Sequence, residues 1–215
     1  MSDAACRESP LNQINLTGLA VGNEAPVLLA ELPFQGLINL RGRPDDETFT
    51  AAVTASFGCE PPFEPNTTRV AGDRTLFWMG PDEWMIVTPP DRQDALVDQL
   101  HTALGDCFCS VVDVTSYYTT IAVGGRSAAD LLAKGCTLDL HPQAFTPGQC
   151  AQTHVAKATV LIWPADAGSS YRLLVRRSYA DYFGHWLSEA VREFGGAAEF
   201  DLTRSDELPA KRVAP

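Results

Sequence analysis

Two thiols and two imidazoles lie close together in AKGCTLDLHPQAFTPGQCAQTHVAK, the segment that covers residues 133–157. They are Cys136, His141, Cys150 and His154, spaced C-x4-H-x8-C-x3-H. Zinc prefers such ligands, but structural zinc sites usually bring them in closer pairs. Cys150 and His154 fall in a predicted strand, where residues four apart lie roughly 13 Å from each other. The spacing therefore favours packing and turn roles, and a small metal protein is the alternative.

Two further features of this segment bear on catalysis. Cys136 follows Lys134 at the end of a predicted helix, and the electronegative helix end opposes a thiolate. We therefore expect a buried structural thiol there. Asp139 and His141 flank Leu140, and an Asp-His pair can prepare a general base. The sequence places no nucleophile beside them, so a turn-capping pair is the favoured interpretation.

Three arginines surround the apolar strand LLV near the C-terminus. They are Arg172, Arg176 and Arg177, and the first two share a strand face with Leu174. Either the strand end is solvated, or these arginines pair with an acidic partner or with this chain's own acidic half. The aromatic run FWMGPDEW leaves a similar choice, between a buried hairpin and an interface edge. Burial is favoured for all four tryptophans: Trp78, Trp84, Trp163 and Trp186.

The glycine pair in AVGGRSAADLL, residues 122–132, lies between a predicted strand and a predicted helix. A dinucleotide-binding turn would need the pattern G-x-G-x-x-G, which this segment lacks. We interpret the glycines as residues that permit a tight strand-to-helix turn.

Composition limits the class of protein. The chain has 215 residues, 45% of them apolar, and a formal net charge of −11. It has no basic cluster, so it is a poor candidate for nucleic-acid binding. No apolar run is long enough for a membrane span, and the N-terminus lacks the features of a secretory signal. We therefore expect a cytoplasmic protein whose six cysteines are mostly reduced packing residues.

The elements that position these residues follow the order strand, helix, hairpin, helix, and that order occurs twice. The first copy spans about residues 36–104 and the second about 117–194. The second copy's hairpin pairs CAQTHVAKATVLIWP with SYRLLVRR. This pattern predicts an α+β fold of duplicated units with antiparallel sheets and helices packed on one face. We expect a loose N-terminal arm over 1–13, a single domain over 14–196 and a flexible C-terminal tail over 197–215.

Several of these motifs together resemble the folate-binding fold of the glycine-cleavage T-protein family. They are Asp113-Val114-Thr115, Val123–Leu132, Asp139-Leu140, the stretch from Pro147-Gly148 to Thr153, and Leu173–Trp186. Folate-using members of that family carry an aspartate on the strand that follows the Pro-Gly step. The matching stretch here, AKATVLIW at residues 156–163, has no carboxylate. The resemblance therefore implies the fold but puts the folate reaction in doubt.

A narrower resemblance rests on five short motifs: SPL at 9–11, GPDEW at 80–84, LAKGCTLDLHP at 132–142, GQCAQT at 148–153 and LLVRRSYADY at 173–182. They look like the gamma subunits of heterotetrameric sarcosine oxidases. The resemblance implies a non-catalytic subunit with alpha, beta and delta partners and no catalytic, cofactor-binding or metal-binding residue of its own. FAD, FMN, NAD, tetrahydrofolate and zinc would lie in other subunits. The alternatives are a free-standing folate-binding aminomethyltransferase-like protein and the gamma subunit of a related N-methyl amino acid or betaine demethylase.

Overall fold

A computed structural model describes residues 7–12, 14, 26–167 and 170–194. Within these residues the chain forms ten strands and four helices. The strands are β1 (Leu28–Leu32), β2 (Gly36–Gly42), β3 (Thr68–Ala71), β4 (Arg74–Gly80), β5 (Glu83–Thr88), β6 (Cys109–Asp113), β7 (Tyr118–Gly124), β8 (Ala151–Val155), β9 (Ala158–Pro164) and β10 (Ser170–Arg176). The helices are α1 (Glu47–Phe57), α2 (Gln93–Leu104), α3 (Ala128–Ala133) and α4 (Arg177–Ala190), with short 3-10 turns at Thr115–Tyr117 and Val191–Phe194.

Local signals set the bounds of the first two helices. The Asp46 carboxylate accepts hydrogen bonds from the backbone N–H groups of Thr48 and Phe49 and so caps α1. Gly58 ends that helix in the left-handed conformation, with φ of 72°. In α2, three buried leucines recur every four positions and form one apolar stripe: Leu96, Leu100 and Leu104. No helix in the part of the chain described here has the length and apolarity that crossing a membrane requires.

Two five-stranded antiparallel sheets form the centre of the molecule, and their strand orders are equivalent. The first-unit sheet has the order β6-β2-β5-β4-β3, and the second-unit sheet has the order β1-β7-β10-β9-β8. The first unit, residues 28–104, supplies β1 to β5, and the second unit, residues 109–190, supplies β6 to β10. The first strand of each unit joins the other unit's sheet. Thus β1 pairs with β7 and β6 pairs with β2. The duplicated units are therefore joined by exchanged strands.

Side chains that alternate along the strands build three apolar layers. Helices α1 and α2 pack on the outer face of the first-unit sheet, where Ile38 and Ile86 are fully buried. Helices α3 and α4 pack on the outer face of the second-unit sheet, where Ile121 and Leu173 are fully buried. The inner faces of the sheets meet in a third layer, which contains Leu37, Phe77, Met85, Cys150, Leu161 and Leu174. The molecule is a four-layered sandwich in the order helices, sheet, sheet, helices.

The predicted α+β class, the duplication and the antiparallel sheets with helices on one face are confirmed. Two element predictions are wrong. The strand expected over CAQTHVAKATVLIWP is two strands, because the chain reverses at Ala156 and Lys157 and β8 pairs with β9. The strand β3 was not predicted at all.

The predicted N-terminal arm is only partly described. Ser9 and Leu11 are buried, and Leu11 packs in the outer layer of the second-unit sheet. Apart from Ile14, the apolar run 14–21 lies outside the described residues, and so does the expected tail over 197–215.

Candidate functional site

The four residues of the Cys/His segment do not converge. Cys136 lies in the outer layer of the second-unit sheet, where its backbone forms an isolated bridge with Val155. Cys150 lies in the inner layer, on the opposite side of that sheet. His141 and His154 are exposed. Since the two thiols lie on opposite faces of one sheet, they do not fit the coordination shell of a single ion.

Cys150 is the more deeply buried of the two thiols, with 1% of the residue exposed. Its Sγ lies 3.5 Å from the Thr67 carbonyl oxygen and 3.8 Å from that of Trp78. Burial raises the pKa of this thiol to about 12. A thiol in that state is a poor nucleophile and a poor metal ligand. Its backbone N–H donates to the Asn66 carbonyl at 2.8 Å, so Cys150 also joins the edges of the two sheets.

Asp139 and His141 form a turn. The Asp139 carboxylate accepts from the His141 backbone N–H at 2.9 Å, and His141 Nδ1 accepts from the Gln143 backbone N–H at 3.2 Å. Both side chains are therefore engaged with backbone groups beside Pro142. The predicted turn-capping pair is confirmed.

The other segments singled out in the sequence are structural. Gly124 ends β7 and Gly125 has φ of 99°, so the glycine pair makes the turn toward α3. Residues 156–163, the stretch that contains no carboxylate, include most of β9. In that strand Val160 and Ile162 pack in the outer layer and Leu161 packs in the inner layer.

The tryptophans divide by depth. Trp84 is fully buried, and its indole N–H donates to the Pro62 carbonyl at 2.8 Å. Trp163 is half-buried at the inner layer, with its ring centroid 4.6 Å from that of Phe77. Trp78 and Trp186 are also half-buried. The prediction that the hairpin buries its aromatic side chains is confirmed for Trp84.

The three arginines have different surroundings. Arg176 is exposed, whereas Arg177 Nη2 donates to the backbone carbonyl of Glu8 at 2.6 Å. Arg172 is half-buried, and its Nη1 atom is screened from solvent and finds no hydrogen-bond partner in the described part of the chain. The expected solvated strand end is therefore correct for Arg176 but not for Arg172. Among the described residues, Arg172 is the charged side chain with a buried atom that lacks a hydrogen-bond partner.

Two polar residues that sequence reasoning missed are buried in the second-unit sheet. Glu31 is 1% exposed, and its carboxylate accepts hydrogen bonds from the hydroxyls of Ser9 and Thr119. It anchors the described part of the N-terminal arm. Thr120, the residue after Thr119 on β7, is 2% exposed, and its hydroxyl has no hydrogen-bond partner within the described residues. The alternation along β1 gave a signal for Glu31, since it falls on the face of Leu29.

The described residues present no assembled catalytic constellation. They hold no group of three His, Cys, Asp or Glu side chains suited to a metal ion. Two features remain with functional potential: the unsatisfied guanidinium of Arg172, and aromatic side chains exposed at the surface. Phe108, which directly precedes β6, is 89% exposed, and Tyr117, at the end of the 3-10 turn that follows β6, is 65% exposed.

Comparison with known proteins supplies the family context. Residues 41–193 match the model of the "Sarcosine oxidase, gamma subunit family". A sarcosine oxidase subunit gamma from Corynebacterium sp. (strain U-96) is 34% identical over 180 residues, which is 82% of this chain and 85% of the relative. One from Arthrobacter sp is 30% identical over 196 residues, or 90% of this chain and 94% of the relative.

Solved structures agree with these sequence matches. A chain of the heterotetrameric sarcosine oxidase from Corynebacterium sp. U-96 superposes with a TM-score of 0.76 and 30% identity, covering 95% of this chain and 99% of the other. The glycine cleavage system aminomethyltransferase T from Bartonella henselae gives a TM-score of 0.59 at 14% identity. That match covers 76% of this chain and 46% of the other. At that identity, the second likeness shows a shared fold alone.

Proposed function

Because the chain belongs to the sarcosine oxidase gamma subunit family, we propose that it is a non-catalytic, structural subunit of a heterotetrameric sarcosine oxidase. The observation that carries this proposal is the match along nearly the whole length of a chain from such an enzyme. The assembled cytoplasmic enzyme would demethylate sarcosine oxidatively to glycine, with formation of hydrogen peroxide. It would transfer the released one-carbon unit to tetrahydrofolate.

The chemistry of the described residues supports a structural role. The thiol of Cys150 is held protonated, and Asp139 and His141 are occupied in a turn. The strand β9 lacks the carboxylate expected of a folate-using relative. We therefore assign FAD, FMN, NAD, tetrahydrofolate and zinc to the alpha, beta and delta partners.

An exposed aromatic ring supports an assembly role. Phe108 leaves 89% of its surface in solvent, so the isolated chain gains little stability from it. Aromatic side chains are enriched among the residues that dominate binding at protein interfaces. Phe108 directly precedes β6, which is the edge strand of the first-unit sheet. We therefore propose that this edge contacts a partner subunit.

Co-expression tests the assignment. The tagged full-length chain should be colourless and inactive when purified alone, and it should yield a yellow, active complex when expressed with the alpha, beta and delta subunits. Failure to co-purify would reject the proposed function. Phe108→Ser should weaken assembly without changing the unfolding midpoint of the chain. Val70→Ser is the matched control, since Val70 is 68% exposed on the opposite edge strand, β3.

A further inference from the structure

Arg172 projects from β10 into the layer between the two sheets. Leu174, two residues further along the strand, is 1% exposed within that layer, so both side chains lie on the inner face. In the sheet, Arg172 is paired with Trp163 on β9 and with Ala122 on β7. Trp163 supplies an aromatic ring, whereas the side chain of Ala122 is only a methyl group.

Two unsatisfied polar groups share this inner face. Arg172 Nη1 and Thr120 Oγ1 are both screened from solvent, and neither has a hydrogen-bond partner among the residues that the structure describes. Because Ala122 lies directly opposite Arg172, Thr120 is a diagonal neighbour of Arg172, at roughly 7–8 Å between Cα atoms. That separation is within reach of a long side chain. Buried donors without partners are rare in folded proteins, so two on one face of adjacent strands indicate a missing acceptor.

The charge of Arg172 is also poorly balanced. Burial lowers the pKa of its guanidinium, and the nearby Asp166 opposes that effect only in part. The Asp166 carboxylate accepts from the Ser170 backbone N–H at 3.0 Å and from the Ser170 hydroxyl at 2.8 Å. Both of its oxygens are thus engaged in the turn that precedes β10.

The first-unit sheet shows how this fold satisfies a charge on its inner face. Glu83 lies on the same face of β5 as the buried Met85. Its carboxylate accepts from Asn39 Nδ2 at 2.7 Å and from Arg41 Nη2 at 3.1 Å, both on the neighbouring strand β2. On β7, beside Arg172, the inner face offers Ala122 instead. Among the described residues, Arg172 Nη1 therefore has no such acceptor.

We propose that Arg172 and Thr120 form a binding site for a carboxylate group in the layer between the sheets. A carboxylate presents two acceptor oxygens, so one receives a guanidinium N–H and the other receives the threonine hydroxyl. Arg172 is half-buried, so part of its side chain reaches the surface and marks the entrance. The carboxylate belongs either to a free small acid or to an acidic side chain of a partner subunit. The second source rests on the proposed function.

The first arm of the test uses acetate and the full-length chain. Thermal unfolding is measured in sodium acetate and in sodium chloride at equal ionic strength, and acetate affinity is measured by calorimetry. A free carboxylate site predicts saturable stabilisation by acetate. We expect Arg172→Met to weaken acetate binding by at least about tenfold, and Thr120→Val to weaken it less. Arg176→Met is the matched control, because it removes an exposed charge from the same strand.

The second arm uses the co-expressed complex. If a partner side chain supplies the carboxylate, acetate has no specific effect on the free chain. Arg172→Met then weakens assembly by at least about tenfold, and Arg176→Met does not. If Arg172→Met does not fold, Arg172→Lys replaces it, since lysine keeps the charge but loses the planar fork.

The site is refuted if acetate has no specific effect and the Arg172 and Thr120 variants assemble like wild type. If the wild-type chain itself fails to assemble, the proposed function fails instead, and the acetate arm still tests the site.

Discussion

The thiol of Cys150 is expected to resist alkylation strongly in the folded chain. Only the thiolate reacts, and a pKa of about 12 leaves roughly one thiolate in ten thousand at about pH 8. An ordinary cysteine with a pKa of about 8.5 is roughly one-quarter ionised at that pH. Ionisation alone therefore slows Cys150 on the order of a thousandfold. Because the residue is only 1% exposed, blocked access adds to this protection.

The assay is iodoacetamide labelling followed by mass spectrometry of the Cys150 peptide. The same residue in the urea-unfolded chain gives the reference rate, and the half-buried Cys59 reports that the reagent reacts with the folded protein. The rate for folded Cys150 should rise about tenfold per unit between about pH 8 and 10, whereas the unfolded reference begins to level off. A folded rate within about tenfold of the reference would refute the placement of this thiol between the sheets.

Three other substitutions test the packing. Trp84→Phe removes the indole N–H that donates to Pro62 and leaves a gap at a fully buried position, so urea unfolding should show a loss of about 2–3 kcal/mol. A loss below about 0.5 kcal/mol would contradict a core role. Gly135→Ala would place a Cβ 2.8 Å from the backbone nitrogen of Ala156, so Tm should fall by several degrees, and an unchanged Tm would refute the close approach. Asp46→Ala should cost about 1 kcal/mol in urea unfolding by removing the cap of α1, while Asp46→Asn should retain most of it.

Features of the fold with local causes were predictable. Asp46 and Gly58 mark the ends of α1, and its buried residues recur at helical spacing. The break between β8 and β9 left no comparable signal, because the chain reverses at Ala156 with φ of 53° and no glycine marks the turn. The strand β3 has only four residues, none of them buried, so alternation could not reveal it. The exchange of β1 and β6 depends on pairing between distant parts of the chain.

The candidate site shows the same difference between features with local causes and features that depend on distant parts of the chain. The turn at Asp139 and His141 was predictable because its hydrogen bonds span two residues. The sequence placed Arg172 on the face of Leu174 but left its environment open. That environment depends on how the two sheets pack and on Ala122, which lies fifty positions earlier in the chain. Thr120 gave no signal, because a threonine in a strand is ordinary until its hydroxyl is seen to have no partner.

The exchanged strands impose an order on how the chain can fold during synthesis. Residues 28–32 leave the ribosome long before residues 118–124, with which they pair, so β1 must wait for its neighbour. The first-unit sheet gains its β6 edge only once residues 109–113 have emerged. Fragments divided between α2 and β6 would each lack an edge strand, yet together they would contain every partner. Each half therefore depends on the other for one edge strand, and such long-range pairing is typical of slow folding.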